Sequence, residues 1–174
     1  RGGYVATKHL ISQGYHRIGL IMANPHSVPA RDRREGYEAA LAEAGIDLNP
    51  ALIRASADDQ TMHGYTREAG YVAMNELLAL PEPPDAIFAA SDVQALGALK
   101  ALRQADLHPP DDLAVCGFDD IRSSAYVGLT TVRQPMYEMG KLAVEKLLRR
   151  LEQPSLPPSH TSFAPRLIER ETTA

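Results

Sequence analysis

Short apolar runs alternate with amphipathic stretches along most of the chain, and each switch of period marks a change of element. Val5, Ala6, Leu10 and Ile11 recur at helical spacing, and Gly14 stands where a helix stops in a left-handed turn. Arg17–Met22 is an apolar run that fits a strand buried on both faces, followed by a polar loop from Asn24 to Pro29. A helix is predicted over 31–44, with Tyr37, Leu41 and Ala44 as its inward stripe and Gly45 at its end. Next come a weak strand at Leu52–Ala55, a polar loop from Ser56 to His63, and a helix over 64–80 stopped by Pro81, Pro83 and Pro84. Asp85–Ala90 reads as the third strand, 92–105 as the third helix of this rhythm, and Leu113–Gly117 as the fourth strand. Such alternation implies a doubly wound α/β fold, a parallel sheet with right-handed crossovers.

After Phe118 the rhythm breaks. A polar loop runs to Gly128, an extended piece covers Leu129–Arg133, and a helix over 137–151 carries Met139, Leu142, Ala143, the Lys146 stem, Leu147 and Leu151 on one face. The tail alternates loosely over 161–168, which fits one or two strands with Pro165 at an edge or bend.

Composition narrows the class. With 174 residues, 44% of them hydrophobic, the chain can bury a core of its own. No run approaches the roughly 18 apolar residues that span a bilayer, and no basic segment leads into an apolar one as in a secretory signal. Because the chain starts at Arg1 and enters a helical pattern almost at once, it is expected to be a piece of a longer protein. A net charge of −4 argues against nucleic-acid binding through this surface. The single cysteine, Cys116, excludes an internal disulfide, fits a reducing compartment, and is expected to be a buried small hydrophobe.

Ligands of open α/β sheets bind outside the carboxyl ends of the strands. Asp119 follows a buried strand, where it can accept hydrogen bonds from the vicinal hydroxyls of a sugar or the ring nitrogens of a base; a turn or cap aspartate is the other reading. Ser91 and Asp92 follow another strand and both can cap the next helix, the preferred reading for Asp92. Ser27, in the loop after the first strand, and Gln134 are further candidates, against ordinary loop polarity. Arg31, Arg33 and Arg34 open the second helix, where a solvated helix face is the competing account. His9, His16, His26, His63, His108 and His160 lack the spacing of a metal site, so no metal is expected. No nucleophile motif or glycine-rich phosphate loop is present, so neither a catalytic residue nor a cofactor is expected. An enzyme using Asp119 as a base would need a partner group of matched pKa at another strand end, and the sequence offers none.

Three ordered segments carry a resemblance: Ala89-Ala90-Ser91-Asp92-Val93-Gln94-Ala95-Leu96-Gly97, Val115-Cys116-Gly117-Phe118-Asp119-Asp120 and Leu129-Thr130-Thr131-Val132-Arg133-Gln134-Pro135. Together they resemble the effector-binding core of bacterial transcription regulators of the lactose/galactose-repressor family, similar in fold to periplasmic sugar-binding proteins. The resemblance implies a periplasmic-binding-protein-like fold of type I: two lobes across a cleft, joined by three chain crossings. Here one lobe would be complete and the second present in part. On that correspondence residues 17–128 form the C-terminal lobe, 1–16 and 129–160 are remnants of the N-terminal lobe and crossovers, and 161–174 are closing strands and tail. The helices over 4–14 and 136–152 would belong to the other lobe, with apolar faces and no sheet to cover them.

The same resemblance implies that Asp119 points into the cleft, that Asp120 makes the turn, and that Arg33 forks onto ligand oxygens as a planar bidentate donor. Ser91 stands where the family most often has an effector-contacting asparagine, which implies a shorter reach. Asp59 falls near a position where sugar- and purine-binding members often carry a stacking aromatic. Asp58-Asp59-Gln60-Thr61 offers no ring, which favours a hydroxyl-rich ligand. Leu96, Leu99 and Leu102, with Tyr126, match positions that pair two subunits, with core packing preferred for Leu99. The implied function is the ligand-sensing domain of a cytoplasmic, homodimeric transcription regulator that binds a small carbohydrate or related metabolite. DNA would be reached only through an N-terminal headpiece absent from this chain, and no membrane partner is implied. A periplasmic sugar-binding protein serving a transporter is the alternative on the same fold.

Overall fold

The computed structural model describes residues 1–56 and 64–173. Its elements run α1 (Gly2–Ser12), β1 (Ile18–Met22), α2 (Val28–Glu43), a 3-10 turn (Pro50–Leu52), β2 (Ile53–Ala55), α3 (Arg67–Leu78), β3 (Ala86–Ala89), α4 (Asp92–Gln104), β4 (Ala114–Asp119), α5 (Arg122–Tyr126), β5 (Thr130–Arg133), α6 (Met136–Glu152) and β6 (Arg166–Ile168). They build a six-stranded sheet in the order β2-β1-β3-β4-β5-β6, parallel except for β6, which runs antiparallel along the edge of β5. The α/β parallel-sheet expectation holds. Among the described residues no helix is long and apolar enough to cross a membrane.

The central strands are apolar throughout because both sheet faces are covered. Successive side chains point to opposite faces, so Ile18, Leu20 and Met22 of β1, with Phe88, Cys116, Phe118 and Val132, pack against Ala6, Leu10, Tyr37 and Leu41 of α1 and α2. On the other face Ile21, Ile87, Ala89 and Val115 meet Met74, Leu77, Ala95, Ala98 and Leu102 of α3 and α4. Cys116 is fully buried, which pushes its thiol pKa up and leaves it inert.

Two expectations change. The helix at the N-terminus does not lack a cover: Ala6 and Leu10 of α1 are fully buried on the sheet beside α2. The short link through Gly14, at φ +94°, keeps α1 close to β1. The polar stretch after Phe118 contains a helix, α5, too short and polar to show an apolar stripe. The tail forms one strand, and beyond it Thr172 Oγ1 accepts from the Thr130 amide and donates to the Val115 carbonyl, while Thr173 bonds His9 at 2.7 Å. By contrast α6 buries no residue, and Leu147, Leu148 and Leu151 lie open.

Helices α3 and α4 touch backbone to backbone through glycine. A Cβ on Gly97 would lie 2.0 Å from the Arg67 carbonyl oxygen, and one on Gly70 would lie 2.0 Å from that of Gln94. Gly97→Ala must therefore prise the pair apart, and a loss of about 2–3 kcal/mol, roughly 5–10 °C in Tm, is expected in thermal unfolding. An unchanged Tm would mean that the helices slide without cost.

Candidate functional site

The carboxyl ends of β1, β3, β4 and β5 open onto one edge of the sheet, as parallel register requires. Arg33 reaches this edge from α2. Its Nη1 donates to the Ala90 carbonyl oxygen at 2.8 Å and to the Tyr65 hydroxyl at 3.1 Å. The guanidinium lies 4.1 Å from the centroid of Phe118 and 5.5 Å from that of Tyr65, which holds the plane by cation–π contact. Arg34 instead pairs with Glu38 one turn along its own helix, and Arg31 is exposed. The three arginines thus part company by helical phase.

Asp119 closes β4 and faces Arg33. Its Oδ1 accepts from Gln134 Nε2 at 2.7 Å and lies 3.7 Å from Arg33 Nη2. The carboxyl pKa is pushed up to about 6: burial disfavours the charge, Arg33 and the Gln134 hydrogen bond favour it, and Asp92 adds repulsion. Asp120 is treated oppositely by its neighbours. Burial alone would raise its pKa, but hydrogen bonds from Arg170 and Arg133 hold it below the usual carboxylate range. Asp119, Asp120, Arg133, Gln134 and the start of α6 line an open cleft of about 580 Å³.

Sequence-predicted residues divide on this geometry. Arg33, Asp119 and Gln134 come together. Ser91 is almost fully buried and its Oγ caps α4 by accepting from the Gln94 amide at 3.2 Å. Ser27 caps α2 by accepting from the Ala30 amide at 3.4 Å. Asp59 lies outside the described residues. The capping role preferred for Asp92 belongs to Ser91. Asp92 is wholly buried and accepts from the Ile121 amide, Ser124 and Thr131. Tyr126 is 90% exposed, while Leu96 and Leu99 are half-buried, with Leu99 packed against the α3–α4 core. Among the described residues no group of His, Cys, Asp and Glu is gathered for a metal ion.

Phe118 and Tyr65 hold Arg33 in place and are not among the residues that the sequence singles out, since an aromatic under a guanidinium leaves no periodic trace. Arg170 could have been noticed as a tail arginine, but nothing in the spacing ties it to Asp120, fifty residues away.

The comparisons with known proteins agree with this architecture. The family model for the periplasmic binding protein-like domain matches residues 7–173. The chain is 39% identical over 171 residues to the ribose operon repressor of Escherichia coli, covering 97% of this chain and 50% of that protein. It is 41% identical over 152 residues to the HTH-type transcriptional repressor PurR of Haemophilus influenzae, covering 86% and 43%. Among solved structures, a complex of the transcriptional regulator CelR with cellobiose superposes with a TM-score of 0.89 at 33% identity, over 98% of this chain and 51% of that one. A LacI family regulator from Enterococcus faecium with bound ribose gives a TM-score of 0.90 at 28% identity, over 100% and 62%. The chain spans about half the length of the curated relatives it matches. These relatives are named as repressors and regulators, not as transport receptors or enzymes. With nearly its full length matched, the chain belongs to the periplasmic binding protein-like domain family, in the form found in the effector-binding domains of LacI-family transcriptional regulators.

Proposed function

We propose that this chain is the sensing part of a cytoplasmic transcriptional repressor, and that it holds a small hydroxyl-rich ligand at Arg33, Asp119 and Gln134. The observation that carries the reading is the facing pair at the strand ends, a planar guanidinium fixed by Phe118, Tyr65 and Ala90 opposite a largely buried carboxyl. Vicinal hydroxyls donate to such a carboxylate and accept from such a fork, and the burial of both groups limits competition from water. Ser27 and Ser91 are assigned supporting roles through the helix ends they cap, and Asp59 is retained as a ligand-contacting candidate on the family resemblance alone. Relatives with ribose and cellobiose bound support a sugar.

The uncovered stripe of α6 supports a second lobe supplied by the rest of a longer protein, since its exposed leucines need a partner. A ligand bridging both lobes would favour one relative orientation and so bias a DNA-binding headpiece, a population shift limited by the ligand's differential affinity. Pairing of two copies through Leu96, Leu99 and Tyr126 is part of the same reading, and the open Tyr126 ring supports it. The test is calorimetric titration of the full-length protein with D-ribose, cellobiose and a purine base. Heat with a sugar, abolished in Asp119→Ala, is expected. Heat with the purine alone would overturn the hydroxyl-rich ligand.

A further inference from the structure

The ligand-facing aspartate sits on an unfavourable backbone. Asp119 has φ +113° and Asp120 φ +57°, two adjacent non-glycine residues in the left-handed half of conformational space. Such residues persist only where the surroundings over-determine them. What holds this turn lies beneath it. Asp92, the first residue of α4, is wholly buried, and its Oδ2 accepts from the Ile121 amide at 2.9 Å and from Ser124 Oγ at 2.6 Å. Its Oδ1 accepts from Thr131 Oγ1 at 2.6 Å. One carboxylate therefore grips the residue after the turn, the helix that follows it, and the strand three residues before Gln134. Gly117 makes room for this, because a Cβ there would lie 2.3 Å from Asp92 Oδ1.

We propose that Asp92 is a positioning residue of the ligand site: from below the sheet edge it fixes both the Asp119-Asp120 turn and the exit of β5, and so brings Asp119 and Gln134 into register. It touches no ligand. The cost of burying this carboxylate, which still pushes its pKa up, is offset in part by three donors and by the positive end of α4. A carboxylate kept at such a place needs a reason other than packing, and its three bonds converge on the two segments that form the cleft.

This proposal rests on Asp119 being the ligand-binding group, so its test carries one readout with a ligand and one without. Four forms of the full-length protein are compared: wild type, Asp92→Ala, Asp92→Asn and Leu102→Ala. Leu102 is a buried residue ten positions further along α4, so its loss weakens the fold away from the cleft. Affinity for D-ribose is measured by calorimetry, and hydrogen exchange of the Gln134 side-chain amide by NMR. Asp92→Ala is expected to lower the affinity at least tenfold and to release the Gln134 amide to rapid exchange. Asp92→Asn is expected to stay within about threefold of wild type, because its amide oxygen can accept from Ile121 and Ser124 while Thr131 turns to accept from its nitrogen. Leu102→Ala should lower Tm and leave both readouts unchanged.

Equal losses in Asp92→Ala and Leu102→Ala, or none in Asp92→Ala, would overturn the assignment. If wild type gives no heat with D-ribose, the sugar reading fails for that ligand. The Gln134 exchange then decides the role of Asp92: rapid in Asp92→Ala alone supports it, and slow in every form sinks it. Should Asp92→Ala not fold, Thr131→Val and Ser124→Ala each remove one donor. Faster Gln134 exchange in Thr131→Val than in Leu102→Ala is then the supporting result, and no difference the opposing one.

Discussion

Asp119→Asn is expected to make the protein more stable at neutral pH while removing its affinity for a polyol ligand. The carboxyl pKa rises from 3.8 in a free chain to about 6 in the fold, chiefly by burial. A folded-state pKa above the unfolded one means that folding favours the protonated form. The associated stability is present below about pH 4 and is lost as the pH rises through 6. At pH 7 the ionised group thus destabilises the fold by about 2–3 kcal/mol, since a tenfold change in proton affinity is worth about 1.4 kcal/mol. Asparagine has the same shape, keeps the Gln134 hydrogen bond through its oxygen, carries no charge, and tolerates a positive φ better than most side chains.

A gain of about 1–2 kcal/mol in denaturant unfolding at pH 7 follows for Asp119→Asn, shrinking toward zero near pH 4. Ligand binding should move the other way. Two charge-assisted bonds to vicinal hydroxyls become one neutral bond and one mismatched donor, a loss of about 3 kcal/mol or over 100-fold in affinity. In wild type the affinity should fall about tenfold per pH unit below 6, because protonation competes with the ligand for the carboxylate. A variant that gained no stability would show that Arg33 and Gln134 already offset the buried charge. A variant that still bound sugar at wild-type strength would remove Asp119 from the site.

That opposition between stability and binding also bears on what the sequence can and cannot reveal. The cores of β1, β3 and β4 are legible because strands covered on both faces are continuously apolar, and the Pro81–Pro84 and Pro109-Pro110 breaks bound the helices between them. The helical period of α1 is equally plain, yet its small stripe of Gly3, Ala6 and Leu10 does not say which sheet it covers. The structure answers that through Gly3 and Gly36, whose missing side chains let α1 approach α2. Helix α5 is invisible in the sequence because five residues without an apolar stripe carry no period, and Asp92, rather than local propensity, holds it.

At the site, Asp119 is marked by its place after a buried strand. Its partners are not: residues 33, 65, 119 and 134 meet only through tertiary packing, which leaves no local pattern. Ser91 and Asp92 show the same limit at the scale of one residue. Either can cap a helix, and only the position of Ile121, Ser124 and Thr131 decides which of them turns inward.

Arg33→Lys is the substitution that separates charge from geometry in the proposed site. A lysine retains the positive charge opposite Asp119, so an account based on charge alone expects little change. The structure asks more of this side chain. Arg33 uses one nitrogen on Ala90 and Tyr65, turns another toward Asp119, and lays its plane on Phe118. An ammonium on a flexible stem can satisfy one of these demands at a time and stacks poorly. With two or three bonds lost or left half-made, affinity for a sugar is expected to fall about 50–100-fold, and the fold to lose about 1–2 kcal/mol because the Ala90 carbonyl and the Tyr65 hydroxyl lose their donor. Arg34→Lys is the control, since Arg34 makes only a half-exposed ion pair with Glu38 and such pairs contribute less than about 1 kcal/mol. Calorimetry and thermal unfolding of both variants read the result. Loss in Arg33→Lys with none in Arg34→Lys would mean that the planar fork is what the site uses. Binding within threefold in both would mean that this guanidinium supports the β3 and β4 ends and leaves the ligand to other groups.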